Sequence, residues 1–312
     1  MRRQATRIQI RLVFVARFGR ATYARRVTAQ SEIDEIISHV VARVAKVEGI
    51  EAIVLGGSRA RGTADERSDI DLGIYYDAER PFSTMALEAA AQELNDRHAA
   101  GLVTPFGAWG PAVNGGGWLE IRGHHVDFLY REIGAVREAI EDFVAGRPRS
   151  VYQLGHPLGF HMQIYAGEVH VCRPLFTTSG TIAELKSMVR EYPERFRTAA
   201  VTKHLFDAEF EISICAKPVE RVDVMYVAGC LFRAAGFMTF VLYALNRRFF
   251  LNEKGAAAES RQFAIKPARF HDTVASVLGN VGTTTAELAA SVAGFQRLAA
   301  ELRQLAANEG AL

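Results

Sequence analysis

The sequence predicts an α+β fold: a mixed sheet with flanking helices over about residues 28–150, then an all-α helical bundle over about 151–312. Three observations carry this. Short apolar runs with period-2 alternation, bounded by glycine turns, are confined to the first part and read as strands. Beyond about residue 150 they give way to long runs with apolar residues three and four apart. The 312 residues, 49% hydrophobic and 23% charged, suffice for two domains of ordinary size.

Residues 1–27 stand apart as a basic N-terminal extension. Arg2, Arg3, Arg7, Arg11, Arg17, Arg20, Arg25 and Arg26 face no acid there. The net charge of +2 comes from this leader, and the remaining body is acidic. An acidic body argues against a large nucleic-acid footprint, which needs clustered basic residues. The leader reads as an extension or a start codon placed too early, with a transit-like peptide as the alternative. No secretory signal is visible, since the apolar run Leu12 to Val15 is short and interrupted by arginine. Cys172, Cys215 and Cys230 have no CxxC spacing and read as buried thiols in a reducing compartment, so a cytoplasmic location is expected.

The elements follow in order. Ser31 is placed to cap a helix over about 31–47, with Ile33, Ile36, Ile37, Val40, Val41 and Val44 on one face. "IEAIVLGG" reads as a buried strand ending in a glycine turn. "SDIDLGIYY" is a period-2 strand with Ile70, Leu72 and Ile74 inward and Asp69, Asp71 and Gly73 outward. Residues 82–98 read as a helix and "TPFGAWGPAVNGGG" as a loop. "WLEIRGHHVDFLYRE" reads as a hairpin, Trp118–Arg122 and His125–Arg131, turning at Gly123. In its second strand Val126, Phe128 and Tyr130 share one face, and His125, Asp127 and Leu129 the other. Helices are expected at 133–145, 180–191, 193–216, 221–246, 268–279 and 284–308, with Pro193, Pro218 and Pro267 at helix starts. The apolar stretch Met225 to Leu245 approaches membrane length, but it contains Arg233 and is flanked by amphipathic helices. It reads as a buried bundle helix, and no membrane is expected.

The chemistry concentrates in "LGGSRARGTADERSDIDLGIYY", residues 55–76. Gly56 and Gly57 let backbone amides approach an anion, Ser58 adds a hydroxyl, and Arg59 and Arg61 can reach phosphate oxygens. Asp69 and Asp71 leave one face of a strand roughly 7 Å apart and repel each other unless paired or bound to a cation. Magnesium accepts carboxylate and phosphate oxygens together. Asp127 lies in an apolar strand, where an isolated buried carboxylate is costly. It would complete a two-metal clamp, or else pair with Arg122 or Arg131. The signature GxxxxGK[ST] is absent, so this is no P-loop.

Gly56-Gly57-Ser58, then Asp69-Ile70-Asp71 eleven residues after Ser58, then Asp127 on a later strand, resembles the DNA polymerase β-type nucleotidyltransferase superfamily. The resemblance covers residues 28–150 as the catalytic domain. It implies a nucleotidyltransferase-type mixed sheet, two magnesium ions, and transfer of a nucleoside monophosphate from a nucleoside triphosphate to an acceptor with release of pyrophosphate. By that resemblance Asp69 and Asp71 hold both metals. Asp127 binds the catalytic metal and helps deprotonate the acceptor hydroxyl, while Gly57 and Ser58 cradle the β- and γ-phosphates. Residues 151–312 are similar in arrangement to the helical domains that close over the nucleotide in antibiotic-modifying and related small bacterial nucleotidyltransferases. A lysine from such a domain commonly reaches the triphosphate, and Lys217 and Lys254 are the candidates. Asp223, Tyr226 and Asn246 are also notable, with Asn246 read as a helix cap. His124 and His125 face opposite ways, and His156, His161 and His170 lack ligand spacing.

The expected activity is therefore transfer of AMP from ATP, or of another nucleoside monophosphate, to the hydroxyl of a small molecule. An acidic or neutral acceptor cleft would suit a cationic, aminoglycoside-like acceptor. Transfer to a tRNA, an RNA end or a protein hydroxyl is the alternative. So are a non-catalytic nucleotide-binding protein of the same fold and a metal-dependent phosphohydrolase.

Overall fold

A computed structural model describes residues 30–312. The basic extension expected over residues 1–27 lies outside the described residues.

Helix α1 covers residues 30–44, and its face Ile33, Ile36, Ile37, Val40 and Val44 is buried as the helical spacing requires. Ser31, expected as the N-cap, lies inside the helix. Strand β1 (Ile50–Leu55) runs into the short helix α2 (Gly57–Arg61), and the chain returns in β2 (Ile70–Tyr76). After α3 (Thr84–Leu94), β3 (Gly116–Ile121) and β4 (His124–Glu132) form the expected hairpin, turning through positive φ at Arg122 and Gly123. Helix α4 (Ile133–Ala145) ends the sequence-predicted sheet region.

The sheet order is β3-β4-β2-β1-β7. β1 is antiparallel to β2, β3 is antiparallel to β4, and β2 and β4 are parallel. A parallel pair needs a long crossover, and the chain through α3 and β3 supplies it. The fifth strand, β7 (Arg173–Thr177), pairs antiparallel with β1. It comes from the half that the sequence reads as wholly helical. Its sequence, RPLFT, has no clean alternation because the strand is an edge with no fully buried residue. A two-stranded ribbon, β5 (Ser150–Val151) and β6 (Phe160–His161), and helix α5 (Gln163–Val171) also precede the bundle and lie outside the expected elements.

The bundle comprises α6 (Thr181–Met188), α7 (Glu194–Ser213), α8 (Ala216–Glu220), α9 (Val224–Leu245), α10 (Ala256–Ser260), α11 (Phe270–Gly279) and α12 (Thr285–Asn308). Thr284 and Glu287 form a capping box that starts α12. Asp223 caps α9 at its start, accepting from the Tyr226 amide, and Asn246 closes its end through Leu242 O and the Ile265 backbone. Both residues are structural. Helix α9 is long and apolar enough to cross a membrane, yet thirteen of its residues, including Leu231, Met238 and Leu245, are buried inside the bundle.

Two cores divide at the sheet. Ile70, Leu72, Ile74, Val126, Phe128 and Tyr130 pack under α1 and α3. The opposite side contributes Ala52, Val54 and Tyr75 to a core continuous with α4, α5, α7, α9 and α12. The helical half is therefore built directly on the second face of the sheet.

Candidate active site

Period-2 alternation places the polar residues of β2 and β4 on the face opposite the α1–α3 core. The register pairs Asp71 with Asp127 across the parallel strands, and Asp127 with Trp118 across the antiparallel hairpin. Asp69 immediately precedes β2. One row across three strands thus carries Asp71, Asp127 and Trp118. Asp69 and Asp71 border a cavity of about 510 Å³ that also takes in Gly56, Gly57, Ser58 and Lys254.

The glycine turn is shaped around this row. The Gly56 amide donates to the Asp71 carbonyl at 2.9 Å, tying the turn to β2. Gly57 has φ +58°, and a Cβ built there would overlap Asp71 Oδ2. Glycine is required on both counts, conformation and close approach.

None of the three carboxylates makes a side-chain hydrogen bond or ion pair among the described residues. The two arginines that could have neutralised Asp127 are engaged elsewhere: Arg122 with Glu35 at 3.2 Å, and Arg131 with Glu168. Burial pushes the Asp127 carboxyl up to about 6, with Asp71 and Asp69 adding to the rise. Burial likewise raises Asp71, helped by Asp69 and Glu168 and opposed by Lys254 and Arg131. Half-buried, unpaired carboxylates crowded on one face fit a divalent cation. Among the described residues no three His, Cys, Asp or Glu side chains close a metal site by themselves. Magnesium in phosphate chemistry draws its remaining ligands from phosphate and water.

The other expected residues separate cleanly. Arg61 borders the cavity and reaches Glu259 of α10 at 3.3 Å. Arg59 turns away from the cavity, its guanidinium donating to the Ser68 and Asp69 carbonyls, so it holds the loop that delivers Asp69. Lys254 borders the cavity, and its charge acts on both Asp71 and Asp127. Lys217 does not reach it: α8 packs against α9 and α12, and the Lys217 side chain is exposed. His125 shares the Asp127 face, as the alternation predicts, and its charge acts on that carboxyl.

Arg67, Arg131, Glu168 and Asn252 also line the cavity and were not anticipated as site residues. Arg131 is 3% exposed, and its Nε and Nη2 donate to the two Glu168 oxygens at 2.8 Å each. The signal was present for Arg131, four residues after Asp127 on the same strand face. Glu168 and Asn252 arrive from α5 and a loop after α9, which no spacing rule connects to β4.

This geometry sets an anion-sized glycine turn beside a row of unpaired acids. Residues 34–150 match the family model described as "Nucleotidyltransferase domain". No curated protein matches the chain. Among solved structures, the chain is similar to a nucleotidyltransferase-like protein from Exiguobacterium sibiricum 255-15. That likeness has 10% identity and a TM-score of 0.37, covering 86% of this chain and 75% of the other. Domains of the matched family generally use a nucleoside triphosphate and a divalent metal. Residues 34–150 are accordingly a nucleotidyltransferase domain of the polymerase β-like superfamily, whose chemistry is nucleotidyl transfer.

Proposed function

We propose that the protein is a magnesium-dependent nucleotidyltransferase that moves AMP from ATP to a hydroxyl of a small molecule, releasing pyrophosphate. The observation that carries this is the register of β2 and β4. It sets the unpaired Asp127 level with Asp71, which borders the cavity that also holds the Gly56–Ser58 turn and Lys254.

Asp69 and Asp71 are the residues that would hold magnesium, with Asp127 as the third ligand at the acceptor side. When bound, the ions neutralise phosphate charge and favour the in-line geometry that phosphoryl chemistry demands. The Gly57 backbone amide and the Ser58 hydroxyl receive the β- and γ-phosphate oxygens, while the Gly56 amide stays on the Asp71 carbonyl and holds the turn in place. Arg61 and Lys254 supply positive charge at the same end. The acceptor oxygen forms a bond to the α-phosphorus as the bond from that phosphorus to the pyrophosphate oxygen breaks. The hydroxyl proton passes to the Asp127 carboxylate at the acceptor side of the row. The products are the adenylylated acceptor and pyrophosphate.

Calorimetric titration with a non-hydrolysable ATP analogue, with and without magnesium, tests the reading. Magnesium-dependent binding that is lost in D69N/D71N is expected. Absence of nucleotide binding by the wild-type protein would overturn the proposal.

A further inference from the structure

A second cavity, of about 410 Å³, adjoins the first and takes in Trp118, the neighbour of Asp127 across the hairpin. It shares Leu129, Arg131, Glu168, Leu251 and Asn252 with the first, so the two are continuous. Its outer wall is a stacked pair of indoles. Trp109 and Trp118 lie 4.6 Å apart between ring centroids at an interplanar angle of 24°.

This platform is built into the fold. Gln153, buried to 3% exposure, donates from Nε2 to the Trp109 carbonyl at 2.6 Å. Its Oε1 accepts from the Ala112 and Val113 amides at 3.2 Å each. The loop carrying Trp109 is thereby fastened to the segment after β5. The Trp109 ring lies over Gly116 of β3, where a Cβ would come within 2.6 Å of Cη2. The glycine run before Trp118 thus makes room for the neighbouring indole. Trp118 itself is 61% exposed, a large apolar surface left open beside Asp127.

We infer that this cavity is the acceptor subsite, and that the acceptor is an uncharged molecule with a flat apolar ring face and a hydroxyl at its edge. The inference rests on the nucleotidyl-transfer reading above. Direction follows from in-line displacement: the nucleophile enters opposite the leaving pyrophosphate. The pyrophosphate end lies at the Gly56–Ser58 turn, on the β1 side of Asp71. The opposite side of the row is β4 and β3, where Asp127 and then Trp118 stand. A hydroxyl at Asp127 therefore belongs to a molecule whose body extends onto the indoles.

The chemical class follows from the wall. Trp109, Trp118, Leu154, Phe160, Ile164 and Leu251 give it an apolar surface. Apart from the Asn252 amide group, its charged and polar members are already engaged. Arg131 is doubly bonded to Glu168, His156 Nδ1 meets Glu253 at 2.9 Å, and Gln153 is held by three backbone groups. A polycationic acceptor of the aminoglycoside kind finds no open carboxylate cluster beyond the acid row itself, whereas a planar ring finds a face to stack on.

The two tryptophans are the only ones in the chain, so intrinsic indole emission reports on this cavity alone. The experiment titrates 4-propylphenol, and separately kanamycin, against the full-length protein, exciting beyond the phenol absorption band. Titrations are run with and without saturating magnesium and the ATP analogue. Saturable emission change by 4-propylphenol, retained in the presence of the analogue, is expected, and kanamycin should give none. Trp118→Ala should weaken the phenol by about tenfold while leaving affinity for the analogue within about twofold. Trp118 is exposed, so its removal leaves the fold intact and Trp109 remains as reporter. Competition between phenol and analogue, or loss of analogue affinity in the variant, would make this a nucleobase pocket and overturn the inference. So would saturation by kanamycin alone. Failure of the analogue to bind wild-type protein would instead sink the nucleotidyl-transfer reading, a separate outcome in the same titration.

Discussion

Two regions of the molecule leave polar atoms of sheltered titratable side chains without partners, and they do so for opposite ends, although His204 Nδ1 meets Asp207 at 3.3 Å. In the sheet, Asp71 and Asp127 stand side by side, Asp71 raised by burial, Asp69 and Glu168, and Asp127 by burial, Asp71 and Asp69. In the bundle, His161 and His204 lie 5.3 Å apart between ring centroids, wrapped by Phe237 and Phe240. His161 Nε2 and His204 Nε2 have no hydrogen-bond partner among the described residues. Burial pushes His161 down to about 3, with His204 adding to the fall, and burial also lowers His204. The imidazoles resolve their burial by staying neutral and acting as aromatic core. The carboxylates have an open side, so a cation can reach them. Access separates a binding site from a packing solution.

Four changes break or sharpen this contrast. The largest effect is expected from Asp71→Asn, which should reduce magnesium-dependent nucleotidyl transfer by about 10²–10³-fold. Pyrophosphate release measures the loss, and unchanged circular dichroism would show the fold intact. Full activity would make the acid row structural.

Next comes Arg131→Met, which leaves Glu168 without its bidentate partner. Breaking such a pair costs about 3 kcal/mol, at the lower end because Glu168 is partly exposed. Denaturant unfolding should register this, and a second change, Glu168→Leu, should recover most of it. Additive losses in the double variant would contradict the pairing.

A smaller effect concerns pH. The folded Asp127 pKa near 6 exceeds the ordinary value of 3.8, so the folded state binds more protons between those values. Stability from this carboxyl is present at low pH and is lost as pH rises through about 6. Magnesium should therefore raise Tm by a few degrees at neutral pH and much less at about pH 4. Equal shifts at both would show that the ion binds elsewhere.

His161 carries the opposite sign. Its depressed pKa makes its contribution full above about 6.5 and progressively lost as pH falls toward 3. His161→Phe should flatten the acid side of the stability profile by about 2 kcal/mol at about pH 4, without altering nucleotide affinity. An unchanged acid limb would mean that the loss arises at other groups.

The contrast also marks what could be read from the chain. Alternation in "SDIDLGIYY" and "HHVDFLYRE" assigned the faces of both strands, because a one-residue slip would bury every aspartate in the apolar core. The glycine turn and its distance to the D-x-D were equally legible, since Gly57 is demanded by local backbone and by Asp71. Long helices such as α7, α9 and α12 were visible from 3.6-residue periodicity. Short elements were not: α5, β7, α8 and α10 carry too few residues for a period, and β7 lies on an exposed edge.

By itself the sequence determined the strand faces, and with them the face of each aspartate, the glycine turn and the bundle helices, each a matter of neighbours within a few residues. Tertiary structure alone decided the rest. The parallel register brought Asp127 level with Asp71 from 56 residues away in the chain. The return of β7 to the sheet, the placing of Lys254 and not Lys217 at the cavity, the Arg131–Glu168 pair and the stacking of Trp109 on Trp118 were also settled there. These depend on which surfaces meet when the bundle closes on the sheet, and packing of that kind leaves no periodic trace along the chain.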